Sequence, residues 1–533
     1  MILALIAILF VAAVLRCYSV GFGLPALNDP DELTFELGAV RLLSKHTLNP
    51  GWFGHPATTT IYLLAILDAG VFGLGWLVGW FGSPQAFADA IYADPSWVIL
   101  PGRVAMVMFA LATIVLTWRL AHNLCGPWVA LAAAALLAMN PVHITWSQII
   151  RSDMMACFFL LLCMLAALRI QRGNRWRDYV MAALWTGAAM ATKWPYGVCA
   201  LAVLGAGLMR MADHPEERGL TLRRLALFGP MALGFLFLIS PYLLLDHETA
   251  LRNMRGEAQA YHLGATGGMP WENAWWYLSG PVVKGLGAMG AFLALIGGAR
   301  LMRNREAVAI IGFVALAFLV VVSTQRIVWE RWALALTPLL AIIAAAGLGA
   351  LIACASERWR KPAFAAVLIA ALLPLGWTAQ ADTRMRLNDT RQQASRWALA
   401  NIRPGSRVLV EHFAFDLLRQ PWHFLFPLGD AGCVDARAAL GGKVQLSAVD
   451  SRRGSRTNVD FGTVAENKRG TCRVDYAILT QADRYAAERN TFRAEDAAYR
   501  SFIAQGRTLA IFAPRAGETG GPVVRIVAFN TPR

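Results

Sequence analysis

Apolar runs of about 20 residues, the length that crosses a bilayer, recur from residue 2 to about residue 380. Within hydrocarbon every backbone amide must be satisfied inside its own segment, so these runs are read as helices and a soluble globular fold is excluded for most of the chain. Charge usage agrees: 16% of the 533 residues are charged, where a soluble chain carries roughly a quarter. The formal net charge of +15 is spread over loops and the C-terminal tail. Apart from a single Trp in each of two short loops, no Lys/Arg run is interleaved with aromatics, so no nucleic-acid partner is expected. The first run, "ILALIAILFVAAVL", has no basic n-region and no small-residue cleavage site; an uncleaved signal anchor is expected.

Arg-rich loops mark the cytoplasmic side of a polytopic protein. Four stand out, "RIQRGNRWR" (169–177), "RMADHPEERGLTLRR" (210–224), "RLMRNR" (300–305) and "ERWRK" (357–361). The segments between them then alternate in direction, and loops 23–98, 143–153 and 246–279 fall outside. One further apolar segment, "TTTIYLLAILDAGVFGLGWLVGWF" (58–81), contains Asp68 and four glycines, which suits an interfacial or re-entrant placement better than a lipid-exposed span. The expected fold is therefore an α-helical polytopic membrane protein of about eleven spans, thirteen at most, with the N-terminus inside and the C-terminus outside.

The division expected is a membrane module over 1–380 and an extracytoplasmic domain over 381–533. In the tail, strand-like runs ("RVLVE", "DYAILT", "TLAIFA", "PVVRIVAF") alternate with helical polar stretches such as "DTRQQASRWALANI", the pattern of a small α/β domain. The tail has no nucleophile elbow, zinc spacing or phosphate loop, so no chemistry is assigned to it. Cys433 and Cys472 lie there and can form one disulfide if the tail is outside the cytoplasm.

The stretch "NDPDELTFEL" (28–37) follows the first span. It is written like a helix start: Asp29 as N-cap, Pro30 at the first position, Glu32 closing a capping box. The same topology gathers Asp29, Asp31, Glu32, Lys45, His46, His55, Arg103, Arg151, Asp153, Lys193, Glu257, His262, Arg326 and Arg331 on the outer face. Each has a plain structural reading: Asp31 complements a helix dipole, Asp153 caps a span, and Arg103, Arg151 and Lys193 snorkel. Together they suit a substrate that is part lipid and part phosphate, with cations holding the phosphate and an ionised carboxylate taking a proton from an attacking hydroxyl. A lipid-linked sugar transporter or flippase is the alternative, and a non-catalytic scaffold carrying a binding tail is another. A transporter places charge near the bilayer midplane, and the mid-span regions here are nearly free of it.

In order along the chain, the "DE" pair, "HP" (55–56), "PGRVAMVMFALATIVLTWRLA", "NPVHITWSQIIRSDMM", "AMATKWPYG" and "YHLGATGGMPWENAWWYL" resemble the C-type glycosyltransferases that use polyprenyl-phosphate sugars. Within that group the similarity is to the protein O-mannosyltransferases and lipid A aminoarabinose transferases, over roughly residues 1–380. The resemblance implies inverting transfer of a hexose or pentose from a polyprenyl-phosphate carrier to a protein, lipid or glycan hydroxyl, at the outer face of the bacterial cytoplasmic membrane. It makes Asp31 the catalytic base, Glu32 its neighbour and Asp153 the second outer-loop acid. Arg103, Lys193 and Arg331 become donor-phosphate ligands, and His55 and His262 substrate or metal contacts. The chain departs from the family pattern at Thr34, Gly54 and Pro56-Ala57-Thr58. The aminoarabinose transferases carry an Arg and a Glu at the first two of these positions, and the family usually has Pro-Pro-Leu at the third. A divalent metal cofactor therefore stays open, and aminoarabinose specificity is not carried over.

Overall fold

A computed structural model describes residues 1–411, 416–435 and 460–529. The chain opens with α1 (Ile2–Cys17), α2 (Pro30–Lys45), α3 (Thr58–Leu77) and α4 (Pro84–Ala93). A long run of antiparallel helices follows: α5 (Ser96–Cys125), α6 (Pro127–Met139) with α7 (Pro141–Ser147), α8 (Ser152–Gly173), α9 (Trp176–Thr192), α10 (Ala200–Asp213) and α11 (Arg218–Ile239). Two short helices, α12 (Tyr242–Leu245) and α13 (His247–Glu257), lead to α14 (Pro270–Tyr277) and α15 (Val283–Leu301). The membrane part ends with α16 (Arg305–Ala307), α17 (Phe313–Ser323), α18 (Leu336–Ala353) and α19 (Glu357–Leu387). Among the described residues nine helical segments are long and apolar enough to cross a membrane, ten if the bent α6–α7 pair is one span.

α3 is one of those nine by length, yet it lies across one end of the bundle. The alternation of α5 through α11 puts the starts of α5, α8 and α10 at the same end as the finishes of α7, α9 and α11. At the N-terminus of α3, Thr59 Oγ1 is 2.6 Å from the hydroxyl of Thr192, which closes α9, and Thr58 Oγ1 is 2.6 Å from that of Ser240, which follows α11. Beyond its C-terminus, Trp80 and Phe81 pack on Trp97, at the start of α5, with ring centroids 5.5 and 5.3 Å apart. A 20-residue helix is about 30 Å long, so a crossing helix would not have both ends at the same face.

The core is built by close approach of small residues rather than by an apolar contrast with lipid. Between α15 and α18 a Cβ on Gly297 would fall 1.8 Å from the Ile343 carbonyl oxygen, and one on Gly347 would fall 1.9 Å from that of Leu293. Only glycine lets these backbones touch. The alanines of α6 and the small and aliphatic side chains of α8 fill the same cluster, which leaves α8 buried along most of its length with its N-terminus at the end where α3 lies.

The chain then forms α20 (Thr390–Asn401), α21 (Ala482–Ala487) and α22 (Arg493–Ala504) around six strands, in the order β3-β2-β1-β4-β6-β5. β1 (Arg407–Val410) pairs in parallel with β2 (His423–Pro427) and β4 (Tyr476–Leu479). β3 (Cys433–Asp435), β5 (Arg507–Phe512) and β6 (Val524–Ala528) add antiparallel edges. The four strand-like runs of the sequence are β1, β4, β5 and β6. β2 and β3 are additional, short strands. Cys433 and Cys472 are disulfide-bonded, with Cα atoms 5.0 Å apart. α19 runs through residue 380 without a break and hands the chain to this domain at the same end of the bundle as α2 and α3.

Candidate functional site

Three elements of that end converge: the loop carrying α2, the N-terminus of α8, and the turn from α9 into residues 194–199. α2 starts where its sequence says it should, with Pro30 in its first turn and the Asp29 side chain accepting from Asp31 N at 3.1 Å. Glu32 does not close a capping box. Its carboxylate accepts from Arg103 Nε at 2.8 Å and Nη2 at 2.6 Å and from Ile150 N at 3.0 Å. A forked, charge-assisted pair outcompetes one local backbone bond. Arg103 spends Nη1 on the carbonyls of Val20 and Phe22, both at 2.8 Å, and both members of the ion pair have fully buried side chains. The structure therefore does not bring Arg103 and Glu32 to an open surface; they pin α2 to α5.

One turn position away, Asp31 points outward with a half-exposed side chain. Its carboxylate accepts from Arg151 Nη1, while Arg151 Nη2 donates to both oxygens of Asp29 at 2.7 and 3.0 Å. Burial works to raise the Asp31 carboxyl, but the Arg151 and Arg331 guanidiniums outweigh it and hold the group well below the usual carboxylate range. Asp31 is therefore ionised at neutral pH.

Asp153, in the first turn of α8, accepts from Lys193 Nζ at 2.6 Å, and its other carboxylate oxygen is buried without a partner. Burial lowers the Lys193 ammonium to about 8 in spite of Asp153, and the charge of Arg331 adds to the effect. Lys193 is fixed by its backbone as well: Trp194 N donates to the His55 carbonyl at 2.9 Å, Ala57 N donates to the Thr192 carbonyl at 3.1 Å, and Pro56 bridges Lys193. His55 sits between Trp52 and Phe35 with Nδ1 3.4 Å from Ser152 Oγ. Burial and the cations Lys193 and Arg331 push its imidazole well below its ordinary value, so it is neutral.

Arg331 is buried, lies over the Trp329 ring at 4.5 Å, and has no carboxylate partner among the described residues. The His262 ring packs edge-on against the same tryptophan at 4.9 Å. The loop carrying His262 is held there because Val328 N donates to the Ala265 carbonyl at 2.8 Å and Gly267 N donates to the Arg326 carbonyl at 2.9 Å. Two groups gain weight that the sequence alone gave no place at the centre. Arg151 was one outer-loop cation among several, and its fork on Asp29 and Asp31 joins residues about 120 apart. Glu257, at the end of α13, packs over Gly54: a Cβ on Gly54 would lie 2.7 Å from Glu257 Oε1. Burial and the charge of Asp31 raise its carboxyl.

A divalent cation prefers several carboxylate or imidazole ligands directed at one point. Asp29 and Asp31 are committed to Arg151, Asp153 to Lys193 and Glu32 to Arg103. Among the described residues no group of three or more His, Cys, Asp or Glu side chains offers such a set, so these residues do not fit a resident metal.

A family model described as dolichyl-phosphate-mannose-protein mannosyltransferase matches residues 84–245. A search of curated protein sequences returns no match. Among solved structures the chain is similar to ArnT from Cupriavidus metallidurans in the apo state, at 14% identity and a TM-score of 0.55 over 100% of this chain and 99% of that one. The same enzyme bound to undecaprenyl phosphate gives a TM-score of 0.53 at 14% identity, over 100% and 98% of the two chains. The archaeal oligosaccharyltransferase AglB from Archaeoglobus fulgidus, in complex with an inhibitory peptide and a dolichol-phosphate, gives 0.51 at 12% identity, over 95% of this chain and 72% of that one. The chain therefore shares the fold of these membrane glycosyltransferases, and over residues 84–245 it matches the mannosyltransferase family model.

Proposed function

We propose that this protein transfers a sugar from a polyprenyl-phosphate carrier to an acceptor hydroxyl, with inversion, at the outer face of the cytoplasmic membrane. The observation that carries the reading is the pairing of opposites at one end of the bundle: a half-exposed, ionised Asp31 within the field of Arg331, a buried guanidinium with no carboxylate partner among the described residues. Asp31 removes the acceptor's proton as its oxygen bonds to the anomeric carbon. The bond from that carbon to the phosphate oxygen breaks on the opposite face, and its electrons leave with the polyprenyl phosphate. Arg331 and Lys193 offset the charge that develops there. Polyprenyl phosphate is a good leaving group, so a site with more cations than protonated acids is adequate.

A place for the lipid lies alongside. An apolar groove of about 530 Å³ runs between α10 and α17, lined by Leu201, Leu204, Leu208, Phe313, Leu316 and Val320 among others. α10 follows the turn that carries Lys193, so an isoprenoid in this groove would start near the phosphate ligands. Relatives of the same fold were solved with undecaprenyl phosphate and with a dolichol-phosphate, which supports a carrier lipid here. The Arg-rich loops at the opposite end and the disulfide in the C-terminal domain support an outward-facing site in a bacterial inner membrane. Asp153 is assigned to hold Lys193 and to border the sugar, and His55 and His262 to line the substrate side as neutral imidazoles.

The test is mass spectrometry of cell-envelope glycans and glycoproteins from cells carrying the wild type, Asp31→Asn or no protein. A defined mass should vanish in both of the latter, while purified Asp31→Asn still binds undecaprenyl phosphate; loss of a general base costs on the order of 10²–10⁴ in rate. Wild-type product from Asp31→Asn would overturn the assignment.

A further inference from the structure

The C-terminal domain grips the loop that leads into α2 and the loop that carries His262. On one side, Asn28 and Gln392 of α20 exchange reciprocal carboxamide bonds, Asn28 Nδ2 to Gln392 Oε1 at 3.0 Å and Gln392 Nε2 to Asn28 Oδ1 at 2.8 Å. Arg391 donates to the Asn28 carbonyl at 2.5 Å and is itself forked onto Asp389, the N-cap of α20, at 2.9 and 2.7 Å. Asn28 immediately precedes Asp29, which shares Arg151 with Asp31. A continuous series of bonds thus runs from α20 through Asn28 to the Asp29–Arg151–Asp31 fork.

On the other side, Glu488 accepts from Gly264 N at 2.8 Å and Arg484 Nη2 donates to the Leu263 carbonyl at 3.2 Å. The Leu263 side chain is buried in the domain's own core, with Leu409, Ala477 and Tyr485. Gly264 has φ +78°, and a Cβ there would fall 1.9 Å from Arg484 Nη2. Position 264 must therefore be glycine for the arginine to reach. His262, two residues earlier, is held by the same turn.

We propose that the C-terminal domain is a positioning element of the transferase site: Gln392 and Arg391 fix Asn28, and through it the orientation of Asp31, while Glu488 and Arg484 fix the turn beside His262. The loop before α2 is irregular, and leaving it free would spread Asp31 over many orientations. A misplacement of about 1 Å costs on the order of 10²-fold in rate. These residues act through other residues, so their removal affects turnover rather than lipid affinity. The inference rests on Asp31 being the base.

The experiment uses the full-length protein in native membrane vesicles. Product is followed by the mass lost in the envelope comparison, and undecaprenyl phosphate serves as the binding probe. Gln392→Ala and Asn28→Gln should each lower the rate of product formation about tenfold or more. Undecaprenyl phosphate affinity should stay within about twofold. The exchanged pair, Asn28→Gln with Gln392→Asn, keeps the summed side-chain length and should recover at least half the rate. Rates within about twofold of wild type in both single variants would overturn the proposal, as would a loss that tracks a fall in melting temperature and is not rescued by the exchange. An active Asp31→Asn in the same vesicles would instead overturn the assignment of the base.

Discussion

Arg151 and Asp31 form an ion pair in which the arginine is buried and the aspartate is half exposed. The arginine cannot leave, because its other terminal nitrogen is fixed on Asp29, whereas the aspartate keeps one side open to a ligand. An anchored cation beneath an accessible carboxylate keeps that carboxylate ionised without covering it.

The first expected outcome concerns pH. The acid limb of kcat/KM reports the essential base of the free enzyme. Arg151 and Arg331 depress the Asp31 carboxyl against the effect of burial, so Arg151→Gln removes the larger of the two opposing charges. The limb should move to higher pH by about one unit or more, the usual size of an adjacent opposite charge. An unmoved limb would show that another group titrates there.

Lys193 is expected to set the opposite limb. Its ammonium is lowered to about 8, so it loses its charge as pH rises through that value, and with it its attraction for the donor phosphate. The catalytic efficiency of the wild type should fall above about pH 8. Lys193→Arg stays charged throughout, so the fall should disappear even if the overall rate drops. A basic limb that persists in Lys193→Arg would assign it elsewhere.

Much of this site was legible because helix grammar is local. Asp29, Pro30 and the outward Asp31 follow from four consecutive residues, and the "HP" and "TKWP" turns announce themselves by their prolines. What the sequence does not carry is pairing across distance. Arg103 reads as a free cation at the mouth of a span until Glu32, 71 residues earlier, is seen to neutralise it. Asp29 reads as a cap, and it is one, but the same carboxylate also anchors Arg151. Glu257 has no local signature at all; its place over Gly54 exists only in three dimensions. β2 escaped because "HFLFP" is a short apolar run without alternation, and such a run does not distinguish strand from helix.

The Arg103–Glu32 pair makes a stability prediction that separates it from the phosphate site. Removing one partner strands a buried charge, at a cost of about 3–5 kcal/mol. Arg103 also satisfies the Val20 and Phe22 carbonyls. Arg103→Ala should therefore lower the melting temperature in detergent sharply, and Arg103→Lys should not rescue it, because one ammonium does not reproduce the fork. A variant with a wild-type melting temperature and lost undecaprenyl phosphate binding would return Arg103 to the phosphate.

The C-terminal domain carries a buried acid pair of its own. Glu411 accepts from Tyr499 Oη and from Thr480 N at 2.5 Å, and Asp460 accepts from Tyr485 Oη at 2.9 Å and Thr463 N at 3.0 Å. Burial first, and the charge of Glu411 second, push Asp460 up to about 7. Its unfolded value is near 4, so between about pH 4 and pH 7 the folded domain holds a proton that the unfolded chain has released. Stability is then full below about pH 4 and is lost as pH rises toward 7, by at most about 4 kcal/mol. Hydrogen exchange of peptides from this domain in the full chain should show protection falling across that window. Asp460→Asn is neutral at every pH and should flatten the profile; a profile that keeps its slope in Asp460→Asn would assign the proton to Glu411 instead.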